Sequence, residues 1–216
     1  FSILDKNSGE PIEGAFVFFS ESSTGSVSNA GGLLEISMQA YSELVISHLN
    51  YVTKVLVPYS VALLNNTTVL LSPRALRMKE VTVKLSDKFA KKRKRRLARF
   101  ERAFLGDRRE RKGVRILNPE DILFEEIATG LRAEVLQPIK IENDALGYAV
   151  SFLLDTFLLT KQSEVFYGGK VFFKDLQTTR QVPSPNWDAA REKRFLASKT
   201  HFFRALRLEN SDLDQY

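Results

Sequence analysis

Turn-forming clusters cut the first 84 residues into short apolar runs, and this spacing constrains the fold more than any other feature of the chain. Asn7-Ser8-Gly9-Glu10-Pro11, Ser22-Ser23-Thr24-Gly25 and Asn29-Ala30-Gly31-Gly32 combine glycine, which accepts unusual φ, with proline, which fixes it. Among them lie Ala15-Phe16-Val17-Phe18-Phe19, Leu33-Leu34-Glu35-Ile36-Ser37 and Leu44-Val45-Ile46-Ser47-His48-Leu49. Val52-Thr53-Lys54-Val55-Leu56-Val57, Thr67-Thr68-Val69-Leu70-Leu71 and Val81-Thr82-Val83-Lys84 follow. Several alternate apolar and polar residues, the period of a half-buried strand. About seven short strands at ~8–12-residue spacing predict a sandwich or barrel.

The run Asp5-Lys6-Asn7-Ser8-Gly9-Glu10-Pro11-Ile12-Glu13-Gly14-Ala15-Phe16-Val17 resembles the opening signature of carboxypeptidase-regulatory-like domains, D-x-x-T/S-G-x-P-I-x-G-A-x-V. Ser28-Asn29-Ala30-Gly31-Gly32-Leu33-Leu34-Glu35-Ile36 stands where that family shows a T-D-x-x-G-x-F-x-I turn and strand. Ile46-Ser47-His48-Leu49-Asn50-Tyr51 stands at the strand that ends in a Gly-Tyr or similar pair. Asn29 replaces the usual Asp, Leu34 the usual Phe and Asn50 the usual Gly, each conservative for a turn or core role. The resemblance implies a transthyretin-like, seven-stranded sandwich without a peptidase centre, a folding or docking appendage.

Composition narrows the chemistry. The chain has no cysteine, which excludes disulfides, thiolate metal sites and a cysteine nucleophile. Histidine occurs only at His48 and His201, too few for a histidine-rich metal site. No metal or other cofactor is expected. No run of ~18 apolar residues is present to form a spanning helix. The first residues lack the basic region and apolar stretch of a signal peptide, which is not evidence for the cytoplasm. Net charge is only +6, so its distribution matters more than its sum.

That distribution is uneven. Ser86 or Asp87 can cap a helix that stops at Gly106, with Phe89, Leu97, Phe100 and Phe104 on a narrow apolar face. Lys88, Lys91, Lys92, Arg93, Lys94, Arg95, Arg96, Arg99 and Arg102 surround it, and Arg108, Arg109, Arg111 and Lys112 continue the charge. Three readings stay open. The cations form a solvated face whose stems cover apolar surface; they meet an acidic protein or anionic lipid headgroups; or they line nucleic-acid phosphates. No base-reading motif accompanies the third.

Past the helix, Pro119 suits a boundary or a first helical turn, and the segment from Asp121 to Ile127 fits helix or strand. Leu131-Arg132-Ala133-Glu134-Val135-Leu136 and Ile139-Lys140-Ile141-Glu142 read as strands, and Asn143-Asp144-Ala145-Leu146-Gly147 as a turn. A long apolar strand follows from Tyr148, then Val165-Phe166-Tyr167 and Lys170-Val171-Phe172-Phe173, separated by Gly168-Gly169 as a hairpin or bulge. Pro183-Ser184-Pro185-Asn186 reads as a linker before a helix through Trp187, Arg191, Arg194 and Phe195, with a second helical stretch over 200–208. The segments Ile116 to Pro119, Pro138 to Asn143 with Leu146-Gly147-Tyr148, Phe166-Tyr167-Gly168-Gly169, Phe172 to Leu176, Trp187 with Arg191, and His201 to Leu206 resemble the regulatory-like proteins of Bacteroidota. That resemblance implies an envelope protein of the periplasm or outer membrane and carries no defined activity.

Trp187, Arg191, His201 and Arg204 make the best polar and aromatic constellation, since Trp187 and Arg191 share a helical face. It reads as a helix end locked to the sheet, as an anion or peptide pocket, or, least, as a site of catalysis by His201, which has no nucleophile-and-acid set beside it. His48 reads as an edge or satisfied core residue. Glu125 and Glu126 face apart in a regular element, Glu142-Asn143-Asp144 is turn chemistry, and Gly168-Gly169 is no phosphate loop.

The sequence therefore predicts a mainly β, or α+β, chain: a sandwich over residues 1–84, then an α+β module over 85–216 that opens with a basic helix and contains an antiparallel sheet with terminal helices. The expected function is a non-enzymatic accessory or scaffold protein of the bacterial envelope, docking on other envelope proteins, an outer-membrane barrel complex among them. Alternatives are an anionic-surface binder, lipid or nucleic acid, and an unrecognised hydrolase in the carboxy-terminal module. Expected partner-binding residues are Lys91, Lys92, Arg95, Arg96, Trp187, Arg191, His201 and Arg204; no small-molecule substrate is indicated.

Overall fold

A computed structural model describes residues 1–37, 39, 42–57, 67–74, 87–109, 111–135, 137–176 and 186–198. The expected strand at 81–84, the second carboxy-terminal helix, and His201 and Arg204 lie outside the described residues.

The amino-terminal part is a β-sandwich. Strands β1 (Ser2–Asp5) and β6 (Thr68–Leu71) pair in parallel as one small sheet. Strands β2 (Phe16–Phe19), β3 (Gly25–Val27), β4 (Leu44–Ser47) and β5 (Lys54–Leu56) form an antiparallel sheet in the order β3-β2-β4-β5. Ile3, Val17, Phe19, Leu44, Ile46, Val69 and Leu71 fill the space between the sheets. Among the described residues the run 33–37, expected as a strand, makes a single bridge, from Leu33 to Ser2. The free edge of β1 explains this: Leu33 takes one end of it and Pro11, which has no N–H to donate, bridges Leu4 at the other. Neither segment has room to extend a ladder. β3, with little apolar content, went unread in the sequence because its residues resemble a turn.

The second part is a six-stranded antiparallel sheet under a helix. Helix α1 (Asp87–Leu105) ends at Gly106, whose φ of 88° suits a residue without a β-carbon. Then come β7 (Val114–Ile116), a 3₁₀ turn at Pro119–Asp121, β8 (Ile122–Ile127), β9 (Gly130–Val135) and β10 (Ile139–Asn143). Proline thus opens a short turn, and the segment after it is a strand. Strand β11 (Tyr148–Thr160) carries β12 (Val165–Asp175) along one edge, and β10 and β9 in succession along the other. Helix α2 (Trp187–Leu196) follows.

The glycine pair marks a bulge, not a hairpin: β12 runs straight through it, and the extra residue is Asp155 on β11. A β-carbon on Gly169 would stand 2.3 Å from the Leu153 carbonyl oxygen, so only glycine fits there. The bulge shifts the parity of β11. Val150, Phe152 and Leu154 face α1 before it, Phe157 and Leu159 after it. Phe100 of α1, fully buried, packs on this face against Phe124 and Phe157, with Leu97 and Phe104 beside it. Phe89, expected on the same stripe, is 48% exposed.

The opposite face of β11–β12 meets the outer face of the sandwich. Phe16 and Phe18 of β2, Val45 of β4, Leu153 and Phe172 cluster there. The Glu21 N–H donates to the Val171 carbonyl at 2.8 Å, the Phe173 N–H donates to the Ser22 carbonyl at 2.9 Å, and Lys170 pairs with Glu43. Burial on both faces explains why Phe16-Val17-Phe18-Phe19 and Leu44-Val45-Ile46 are continuously apolar rather than alternating.

Candidate docking surface

Helix α1 divides its cations by role. Arg93 turns inward, donating to the carbonyls of Pro119 (2.8 Å), Ile122 (3.1 Å) and Glu120 (3.2 Å). Arg111 pairs with Glu101 and Arg102 with Asp107, each at 2.8 Å. Lys91, Lys92, Arg95, Arg96 and Arg99 line an open groove of about 490 Å³ beside Glu126 of β8. Lys91, Lys92 and Arg95 are exposed. Arg96 is only 17% exposed in its side chain and lies 3.3 Å from the Glu126 carboxylate, with Arg99 at 3.7 Å. The Arg96 hydrogen bond, the largest influence, holds the Glu126 carboxyl below its ordinary value; desolvation opposes it, and the charges of Arg96, Arg99 and Lys92 add to the lowering. Among the described residues that line it, five cations face one carboxylate, which makes this part of the groove strongly positive. All four helix residues expected to bind a partner thus stand together, with Arg99 added; Arg96 is already engaged.

Trp187 and Arg191 are held internally. Trp187 is buried, and its Nε1–H donates to the Asp144 carbonyl at 2.8 Å. Arg191 donates to the carbonyls of Leu146 (2.7 Å) and Gly147 (3.0 Å), pairs with Asp175 at 2.9 Å, and lies 4.1 Å over the Tyr148 ring. This geometry locks α2 to the 144–147 turn, the first of the readings open to the pair. Glu125 and Glu126 face apart, Glu125 towards Arg132 at 3.9 Å. Glu142 is buried against Arg115, which also holds Asp144 at 3.0 Å.

Sequence reading missed Asn118. It is buried, accepts the Lys140 N–H at 2.7 Å, and donates to the Pro138 carbonyl and to Asp121. The Ile-Leu-Asn-Pro segment is therefore a clamp between β7, β8 and β10. It also missed a cleft of about 540 Å³ between the two parts, walled by Ser47, His48, Arg74, Gln137, Leu153 and Asp155. His48 sits at its rim, its Nδ1 accepting the Asn50 N–H at 3.2 Å, and burial lowers its pKa against an opposing backbone interaction at Glu13. Among the described residues no group of three His, Cys, Asp or Glu is placed to hold a metal ion, and no helix is long and apolar enough to cross a membrane.

Residues 2–83 match the family model of the CarboxypepD_reg-like domain. The amino-terminal sandwich is a carboxypeptidase-regulatory-like domain. No curated protein and no solved structure matches the chain. Within the regulatory-like domain the signature residues do structural work. Asp5 accepts the N–H groups of Asn7 (2.6 Å) and Ser8 (3.0 Å) and the Tyr51 hydroxyl (2.8 Å). Asn29, in the place of the family's Asp, accepts the N–H groups of Gly31 and Leu33, both at 3.0 Å, as an aspartate would. Leu34, in the place of its Phe, is buried in the core.

Proposed function

We propose that the chain is a non-enzymatic docking protein of the bacterial envelope, of the periplasm or the outer membrane, and that the basic groove of α1 receives an acidic surface of another envelope protein. The observation that carries this reading is the gathering of Lys91, Lys92, Arg95, Arg96 and Arg99 in one open groove with, among the described residues, a single carboxylate to oppose them. Lys91, Lys92 and Arg95 make no ion pair among the described residues, so their charge is available to a partner. The regulatory-like sandwich contributes a rigid platform, joined to the sheet through Phe172. The Bacteroidota affiliation implied by the sequence resemblance fits this setting.

The test uses the full chain and its Lys91→Gln/Lys92→Gln/Arg95→Gln variant on immobilised poly-glutamate and on phosphatidylglycerol vesicles. Docking on acidic protein predicts retention on poly-glutamate that the variant loses and that salt weakens, because exposed charges are screened beyond ~8 Å near physiological ionic strength. Preferential retention on vesicles moves the reading to an anionic lipid surface. Equal behaviour of variant and parent on both matrices removes the groove from the function.

A further inference from the structure

The outer edge of β8 runs beside the basic groove. Ile127 pairs with Gly130 across the two-residue turn Ala128-Thr129, and the register continues with Glu125 opposite Arg132 and Leu123 opposite Glu134. The pair that flanks a two-residue hairpin turn exchanges both backbone hydrogen bonds, and such pairs alternate along an antiparallel ladder. Ile127, Glu125 and Leu123 therefore bond to β9, while the N–H and C=O groups of Ile122, Phe124 and Glu126 point away from it. Two contacts fix this phase. The Lys161 N–H donates to the Thr129 carbonyl at 3.1 Å on the far side of the hairpin, and Arg93 donates to the Ile122 carbonyl at 3.1 Å on the near side. Among the described residues no strand occupies that outer edge.

The side chains of Ile122, Phe124 and Glu126 all face α1: Ile122 and Phe124 pack with Phe100, and Glu126 meets Arg96 and Arg99. Directly opposite residues of an antiparallel pair point their side chains to the same face. An added antiparallel strand would thus bond to β8 through alternate residues, and those same residues would direct their side chains to the cationic side.

We propose that the edge of β8 takes an extended acidic segment of a partner protein as an added antiparallel strand, whose bonding residues are Asp or Glu with their carboxylates in the groove of Lys91, Lys92, Arg95 and Arg99. This rests on the docking reading above and specifies the partner's form. Charge complementarity selects the occupant, and the backbone of Phe124 and Glu126 supplies the register. Arg93 already covers the Ile122 carbonyl, so addition begins at Phe124.

The probe is an end-blocked octapeptide of alternating glutamate and threonine, titrated at low salt against the full chain and the Lys91→Gln/Lys92→Gln/Arg95→Gln variant. Two further peptides carry N-methyl groups on every glutamate amide or on every threonine amide, with charge unchanged. Strand addition predicts that glutamate methylation lowers affinity by about tenfold, the equivalent of one or two lost backbone bonds, and that threonine methylation does not. It also predicts that the Phe124 and Glu126 amides gain protection from hydrogen exchange on binding. If both methylated peptides bind as the parent does and only the glutamine variant weakens binding, strand addition is overturned and the docking reading stands. If the glutamine variant binds every peptide as the native chain does, both fall.

Discussion

Phe172 of β12 lies so close over Gly25 of β3 that a β-carbon on the glycine would stand 2.9 Å from the ring. The same ring meets Phe16 edge-on at 5.0 Å and Phe18 at 5.7 Å. One aromatic side chain of the second part thus fills a floor made by a missing side chain in the first, and the backbone bonds at Glu21 and Ser22 hold the two parts in register around it.

Removing that ring opens a void between the parts. Phe172→Ala is expected to destabilise the chain by about 2–3 kcal/mol, below the ~3–5 of a fully buried phenylalanine because Phe172 keeps some exposure. Gly25→Val approaches the contact from the other side and should cost about 1–3 kcal/mol by overpacking. Urea midpoints of the two variants check both figures. A midpoint unchanged in Phe172→Ala would show that the parts do not depend on this contact.

Gly147 and Trp187 form a second such pair. Gly147 has a φ of +68°, and a β-carbon there would lie 2.2 Å from the indole. Gly147→Ala should therefore cost about 2 kcal/mol or more, from overpacking and from a left-handed backbone that alanine resists. Trp187 is the only tryptophan, so its emission reports this site alone. The variant should show a red-shifted, more quenchable tryptophan, and a spectrum identical to the parent's would refute the lock.

Much of this was legible in the sequence, for a local reason. The signature around Asp5 and the stop at Gly106 are set by neighbours within a few residues, as turn and cap chemistry is. The apolar spacing of Leu97, Phe100 and Phe104 likewise marks a buried face on its own. What escaped reading depends on distant partners. The parity switch at Asp155 hides in a run where Leu153, Leu154, Phe157, Leu158 and Leu159 are all apolar, so no alternation betrays it. Asn118 looks like an ordinary residue before proline until β10 supplies Pro138 and Lys140. Arg93 is one cation in a run of cations, and only the carbonyls of 119–122 distinguish it from Lys92. The docking groove was partly legible: four of its five helical residues were, but Arg99 and Glu126, which neutralises part of it, were not.

The Tyr51–Asp5 bond gives the regulatory-like domain a sensitivity at both ends of the pH scale. Hydrogen bonds from Ser8, Asn7 and Tyr51 lower the Asp5 pKa, and the Asp5 carboxylate raises that of Tyr51. A carboxyl depressed in the folded state contributes stability that is present above its unfolded value of about 3.9 and lost as pH falls through the folded one. A tyrosine raised in the folded state contributes stability that is present below its unfolded value of about 10 and lost as pH rises through the folded one. Tyr51→Phe should therefore flatten the stability profile at both extremes, and Asp5→Asn should flatten the acid limb more. Denaturant midpoints from acid to alkaline pH test this; a Tyr51→Phe profile parallel to the parent's at alkaline pH would contradict it.

The cations of α1 are predicted to separate cleanly by measurement. Arg93 makes three bonds to backbone carbonyls at the start of β8, and hydrogen bonds to a charged group are each worth ~1.5–3 kcal/mol where geometry is good. Arg93→Gln cannot reach all three, so it should lower stability by about 2 kcal/mol and reduce hydrogen-exchange protection in β8 and the Pro119–Asp121 turn. Lys91→Gln, Lys92→Gln and Arg95→Gln replace exposed side chains with another good helix former, and each should stay within about 0.5 kcal/mol of the parent. Arg96→Gln falls between, because it removes the hydrogen bond to Glu126 and leaves, among the described residues, Arg99 at 3.7 Å as its ion-pair partner, with the Lys92 charge farther off. Its loss should lift the Glu126 pKa towards the ordinary glutamate value, visible by carboxyl titration in nuclear magnetic resonance. The binding assays should rank the variants the other way: the three exposed substitutions weaken retention on poly-glutamate, while Arg93→Gln at a temperature where it is folded retains it. A variant series in which stability and retention fall together would mean that these cations serve the fold alone.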